Sequence, residues 1–395
     1  MPTVLDITKF GNGPDWTGAI QAAIDHALKI NKPVYIPPGT YRHDGNLYVP
    51  GSVSIIGNGH DSVLQVGSIE KADGSKYAVV FGTDRKRGRN LPWTGTLQNL
   101  KITQATDSGG RGWCNIATAR DAAMHKVFWD FPDCTVVKHI VKGQNDNPWS
   151  IGTMRRNITI TDCEIHCHQN GESHRLGGEG LSVSGCDGVS ISDNQVYGMA
   201  DDAIAVLGCQ GAKIVGNQIW TFDSRIKIAS SQHCIVSHNI IERIADCRGE
   251  WYAGGGCSIQ ALNEIEGYGK PSDLLIYDNI IHYPKQVPRQ TDGIKISGAD
   301  NVIVRDNVVS ADEPAKGSIR VEQSNDYGKI QTCSNVVVAG NQVPNGTIAM
   351  GGLAVNMPGP FEFTNNIADR FILFGKYESS GNQTTGHSDV ELNRR

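Results

Sequence analysis

The chain has 395 residues, 46 of them glycine, and 39% are hydrophobic, which is enough for a large core. Its formal net charge of −5 comes with no basic tail and no acidic block, which excludes nucleic acid as an electrostatic partner. No apolar run approaches a bilayer-spanning length, so no membrane partner is expected. The opening "MPTVLDITKFGNG" lacks the basic-then-apolar pattern of a secretory leader. A cytoplasmic location is expected on that pattern, or a phage-associated or extracellular one reached by lysis.

In chain order, the first legible element is "DWTGAIQAAIDHALKIN" (15–31). Ile20, Ala23, Ile24, Ala27 and Leu28 recur on one helical face. The spacing predicts a helix over 16–30 with Asp15 as its N-cap. "KPVYIPPGTY" (32–41) then gives a first strand, and residues 1–45 are expected to form an N-terminal cap. "TDRKRGRN" (83–90) reads as a solvated run of cations. Residues 103–156 are the least periodic stretch, with Trp113, Trp129 and Trp149 expected in or near a groove. "CEIHCHQNGESH" (163–174) holds Cys and His without a second half-site, so zinc is not expected.

From about residue 157 the sequence repeats. "GVSISDNQVYG" (188–198), "AKIVGNQIW" (212–220), "CIVSHNIIER" (234–243), "DLLIYDNIIH" (273–282), "NVIVRDNVVS" (301–310), "NVVVAGNQVP" (335–344) and "PFEFTNNIAD" (360–369) each alternate apolar with polar, reach an Asn, and resume. "NITITDCEI" (157–165) puts Cys163 in the Asn slot. A second strand family lies between them: "GLSVSG", "AIAVLG", "RIKIAS", "CSIQAL", "GIKISG" and "SIRVEQ". These are period-2 strands recurring about every 22 residues where loops are short. A coil that stacks parallel on the next at about 4.8 Å accounts for both families, and the recurring Asn suits a buried amide ladder. The fold class expected is all-β: a single-stranded right-handed parallel β-helix with an N-terminal α-helical cap, the helix body running over 46–380 with a C-terminal tail at 381–395. Cysteines recurring about once per coil are expected as free thiols packed as small apolar residues.

Aligned by their apolar positions, the second-family strands place Glu179, Asp202 and Asp292 just before a strand. Lys227, Gln260, Lys295 and Arg320 fall in one outward column. Stacked carboxylates from neighbouring coils raise one another's pKa and suit acid/base work on a glycosidic bond, so Glu179, Asp201 and Asp202 are the expected catalytic residues. Arg225, Lys227, Gln260, Lys295 and Arg320 are the expected substrate binders. They are joined by Trp251 and Tyr252 of "DCRGEWYAGGG" (246–256), whose rings suit the C–H face of a sugar. Asp292 reads first as corner chemistry.

"DITKFGNG", the helix with "AIQAAID", and "PVYIPPGTY" together resemble the N-terminal cap of the pectin-lyase-like β-helix superfamily, which includes polygalacturonases, pectate and alginate lyases, epimerases and phage tailspike depolymerases. "GGEG" (177–180), "ADDA" (200–203) and "RIK" (225–227) resemble three of the polygalacturonase motifs, while the Gly-His-Gly motif is absent and "RIK" arrives a coil early. The resemblance implies a glycosidase acting on an acidic, uronate-containing polysaccharide. The alternatives are a lyase holding Ca2+ on Glu179, Asp201 and Asp202 with Arg225 or Lys227 as base, and a non-catalytic glycan-binding or phage tail protein. The Asp-Pro-His motif of alginate epimerases is missing. No cofactor is required by the hydrolase reading, and either a monomer or a homotrimer is compatible with it.

Overall fold

The computed structural model describes residues 4–67, 79–81, 83–84, 89–90, 94–105, 114–116, 122–131, 155–167, 180–199, 202–221, 225–245, 257–264, 269–287, 292–313, 317–324, 330–351, 357, 359–385 and 391–393. They belong to two compact units, Met1–Gly198 and Met199–Arg395. Each is built from short strands whose neighbours are the corresponding strands of the preceding and following coils, paired in parallel, as a right-handed parallel β-helix requires.

In the first unit a helix, Thr17–Ile30, buries Ile20, Ala23, Ile24 and Ala27. Its N-cap is Trp16, one residue beyond the Asp15 expected from the sequence. Asp15 still serves the helix start, since its Oδ1 accepts from the Thr17 N–H at 2.9 Å and from the Asp44 N–H at 3.1 Å. Asn31, in the left-handed region at φ 52°, ends the helix. The coils behind it begin with Leu5–Asp6 on Val34–Tyr35 and Val34–Tyr35 on Ile55–Ile56. Thr96–Gln104 then pairs with Ala123–Phe131, which pairs with Glu164–Cys167. Trp129, expected near a groove, lies in the core at 2% exposure between Ile102 and Ile165. Trp113 and Trp149 lie outside the described residues.

The second unit has three strand sides. One holds Ile204–Leu207, Ile226–Ala229, Ile259–Leu262, Ile294–Ser297 and Ser318–Glu322. The other two meet at the Asn ladder. There Asn217, Asn239, Asn279, Asn307, Asn341 and Asn366 each donate backbone N–H and side-chain amide to the Oδ1 of the next, at 2.9–3.1 Å. The last acceptor is Asn382, so the ladder continues into the segment expected as a tail, where Gln383–Thr384 and Glu391–Asn393 also pair with Ile367–Phe374. The residue before each ladder Asn makes the turn: Gly216, His238, Asp278, Asp306, Gly340, Asn365 and Gly381 all have φ between 53° and 72°. In the first unit Cys163 occupies the ladder slot and donates its N–H to Asn194 Oδ1 at 2.9 Å.

Cys163, Cys186, Cys209, Cys234, Cys257 and Cys333 are free and buried. Burial pushes the thiols of Cys163, Cys234 and Cys257 up to about 12, so they are inert at neutral pH. Among the described residues no helix is long and apolar enough to cross a membrane.

Candidate functional site

The column expected from the sequence exists. Strand pairing in the second unit sets Ala205 beside Lys227, Lys227 beside Gln260, Gln260 beside Lys295, and Lys295 beside Arg320. The alternate positions of the same strands, Ile226, Ile228, Ile294, Ile296, Ile319 and Val321, are buried. They are the anchors that turn the charged side chains outward. The same register places Asp202 and Asp292 two residues before their strands and three coils apart, about 14 Å at the usual strand spacing. Cys257 holds that position on a coil between them.

The chemistry of the column differs from a bare row of cations. Asp202 is buried at 1% exposure. Its Oδ1 lies 2.8 Å from Arg225 Nε and its Oδ2 lies 3.3 Å from Lys227 Nζ. Lys227 Nζ also lies 2.5 Å from Glu264 Oε2, so a single ammonium bridges a sealed carboxylate and one whose side chain is 40% exposed. A second cluster follows. Lys295 Nζ is 2.6 Å from Glu322 Oε1, while Arg320 reaches Asp292 Oδ1 at 3.2 Å and Glu322 Oε2 at 3.8 Å. The Ser318 hydroxyl donates to Asp292 Oδ1. Gln260, 8% exposed, stands between the clusters, and its Oε1 has no hydrogen-bond partner among the described residues.

Burial works against charge on both lysines. The facing carboxylates, Asp202 and Glu264 for Lys227 and Glu322 for Lys295, outweigh it and hold both ammonium groups above their usual range. Both lysines are therefore charged at neutral pH and do not act as bases. The four described cations of the row face four carboxylates, so its charges cancel.

Of the expected site residues, the structure brings together Asp202, Arg225, Lys227, Gln260, Lys295 and Arg320. Glu179, Asp201, Trp251 and Tyr252 lie outside the described residues.

A family model described as Rhamnogalacturonase A/epimerase, pectate lyase-like matches residues 9–249. The chain belongs to this family. The match takes in the helical cap and the coils carrying Asp202, Arg225 and Lys227. A search of curated proteins gives no significant match. Among solved structures, the chain is similar to the A-module of the mannuronan C-5 epimerase AlgE6 of Azotobacter vinelandii. The identity is 16% over 96% of this chain and 99% of that one, with a TM-score of 0.54. It is also similar to the catalytic unit of a GH87 α-1,3-glucanase from Streptomyces thermodiastaticus, at 16% identity over 98% and 69% with a TM-score of 0.62. A third likeness is to DFA-IIIase of Arthrobacter chlorophenolicus, at 12% identity over 86% and 93% with a TM-score of 0.54. At these identities the likeness establishes the fold of this family member.

Two site residues escaped the sequence reading. Glu322 was within reach of it, because it lies two positions after Arg320 in "SIRVE" and therefore shares its face. Glu264 follows the strand end at Leu262, where alternation no longer says which way a side chain points.

Proposed function

We propose that this family member is a glycoside hydrolase that cleaves a polysaccharide lying along the Lys227–Arg320 column. The observation that carries this reading is the Lys227 bridge. It holds an open carboxylate, Glu264, against a sealed one, Asp202, on a face whose neighbouring coils present amide, ammonium and guanidinium groups for sugar hydroxyls. Glu264 is the proton-transfer group. Asp202 is a positioning residue that fixes Arg225 and Lys227. Asp201 is retained from the sequence pattern as the second carboxylate. The cluster of Asp292, Lys295, Arg320 and Glu322 binds sugar further along the chain. The names of the similar structures, a mannuronan epimerase, an α-1,3-glucanase and DFA-IIIase, support a carbohydrate substrate and differ from one another.

The Ca2+-dependent lyase is the less favoured reading. It needs Arg225 or Lys227 as a base, and Lys227 is held protonated. It also needs Asp202 as a metal ligand, whereas the Asp202 oxygens face two cations that would repel a divalent ion. The acidic substrate expected from the sequence rested on the polygalacturonase-like motifs and on the Lys and Arg beside the carboxylates. The paired row suits a neutral glycan at least as well.

The test is incubation with α-1,3-glucan, inulin, alginate and polygalacturonate. A hydrolase releases reducing ends without the ultraviolet absorbance of an unsaturated uronate. That absorbance would establish the lyase, and binding without either product would establish a non-catalytic glycan binder.

A further inference from the structure

A concave surface lies wholly within the first unit and shares no residue with the charged row. It is a groove of about 340 Å3 at the corner and third strand side, lined by His60, Lys126, Phe128, Asp162, Glu164 and Gln195 among others. That volume is within the range of sites that hold small ligands. Phe128, Glu164 and Gln195 come from three consecutive coils in one register column. Lys126, within the strand Ala123–Phe131, and Asp162, just before Glu164–Cys167, are left-handed corner residues.

The groove is built rather than left over from stacking. The pairing of Ile55–Val66 with Thr96–Gln104 shifts register between Ile56 and Gly59 and again between Gly59 and Val63. Gly59 takes φ 81° there. Extra residues in a strand bend it and re-aim a side chain. Here the bulge throws His60 outward, so that its ring lies 4.8 Å from Phe128 and its Nε2 lies 3.9 Å from Glu164 Oε1. His60 is thus a wall of the groove, 63% exposed at the side chain, facing a 36% exposed Glu164. The ring series continues from Phe128 to His166 at 5.0 Å and from His166 to Tyr197 at 5.8 Å, and Tyr197 is 39% exposed. The equivalent column in the second unit runs Gln218, Ile240, Ile280, Val308 and Gln342, with no ring and no charged side chain.

Planar carboxylate and amide groups that bond paired hydroxyls, beside rings that accept an apolar C–H face, are the chemistry that recognises a sugar ring. We infer that this groove is a second glycan-binding site, separate from the cleavage face, which holds a sugar residue of the polysaccharide between His60 and the Glu164–Gln195 column. The identity of the ligand rests on the carbohydrate reading above, while the site itself does not depend on hydrolysis.

Affinity electrophoresis in gels containing carboxymethyl-α-1,3-glucan, inulin, alginate or polygalacturonate tests the inference apart from catalysis. At least one of the four retards the unaltered protein and the cleavage-face variant Glu264→Gln alike. His60→Ala, Glu164→Gln and Gln195→Ala each weaken that retardation about tenfold, the worth of one lost hydrogen bond to a charged or well-placed group. All three positions are in solvent contact, and unchanged circular dichroism melting of Glu164→Gln confirms that its fold is intact. The inference is overturned if none of the four polysaccharides retards the protein, or if the groove variants migrate as the unaltered protein does. Retardation that depends on the groove in a chain releasing no reducing ends would uphold the site and refute the hydrolase.

Discussion

At the scale of single residues, Asp202 decides what the cleavage face is. A carboxylate at 1% exposure with Arg225 and Lys227 against it is a structural charge as much as a functional one. Removing one partner of such a cluster leaves the others uncompensated, at a cost of about 3–5 kcal/mol. Asp202→Ala is therefore expected to lower the urea midpoint strongly, while Glu264→Gln, at the open end of the Lys227 bridge, leaves it nearly unchanged. Activity should divide the other way. Glu264→Gln is expected to lower kcat by about 10²–10⁴-fold, the usual worth of a positioned proton-transfer group, with KM little altered. Glu322→Gln, in the sugar-binding cluster, raises KM instead. Equal kcat for Glu264→Gln and the unaltered enzyme would remove Glu264 from the chemistry. The positions of Lys227, Lys295 and Arg320 were legible because a two-residue period and a coil repeat together set both face and neighbour. Their ion pairing was not, because Glu264 sits beyond a strand end and side-chain reach has no period.

At the scale of elements, the Asn ladder explains why the coils stack in register. Asn279 is fully buried, accepts two hydrogen bonds from Asn239, and donates to Asn307 Oδ1, Val236 O and Tyr277 O. Asn279→Ala leaves buried donors and acceptors on two coils without partners, and a loss of about 3 kcal/mol or more is expected in chemical denaturation. The corner before it, Asp278 at φ 53°, holds a conformation that costs a non-glycine residue about 1 kcal/mol. Asp278→Gly is therefore expected to be neutral or mildly stabilising, and Asp278→Val clearly destabilising. A destabilised Asp278→Gly would mean that the His238 contact at 3.7 Å matters more than the backbone. The strands and the Asn spacing were open to sequence reading because both are periodic. The helix cap was misread by one residue because Asp15 bonds the Thr17 N–H from just outside the helix. Asn382 was missed because its coil is too short to show the repeat.

At the scale of the molecule, an acid limb of stability has a source in the first unit, while the alkaline limb draws on both units. In the first, His43 is fully buried, its Nδ1–H donates to Gly45 O at 2.8 Å, and its Nε2 has no hydrogen-bond partner among the described residues. Burial holds its pKa below the ordinary 6.5. As pH falls below 6.5 the unfolded chain takes up a proton that the folded one resists, so stability present above that value declines toward acid. Asp15 adds to this limb, because its hydrogen bonds from Thr17 and Asp44 depress its pKa despite burial, and its contribution fades as it protonates. In the second unit, Lys227 and Lys295 have pKa values raised above 10.5, so what they contribute is complete below 10.5 and is lost only as pH rises through their folded values. Hydrogen exchange should show the first unit losing protection as pH falls below 6.5; toward alkali the second unit loses protection as Lys227 and Lys295 give up their protons, and the first unit contributes through Tyr41 and Cys163, whose pKa values burial raises. His43→Gln is expected to flatten the acid limb alone. Lys227→Arg, whose charge persists throughout this range, is expected to delay the alkaline one. An acid limb left untouched by His43→Gln would show that the buried imidazole is not its source and would shift the cause to the carboxylates.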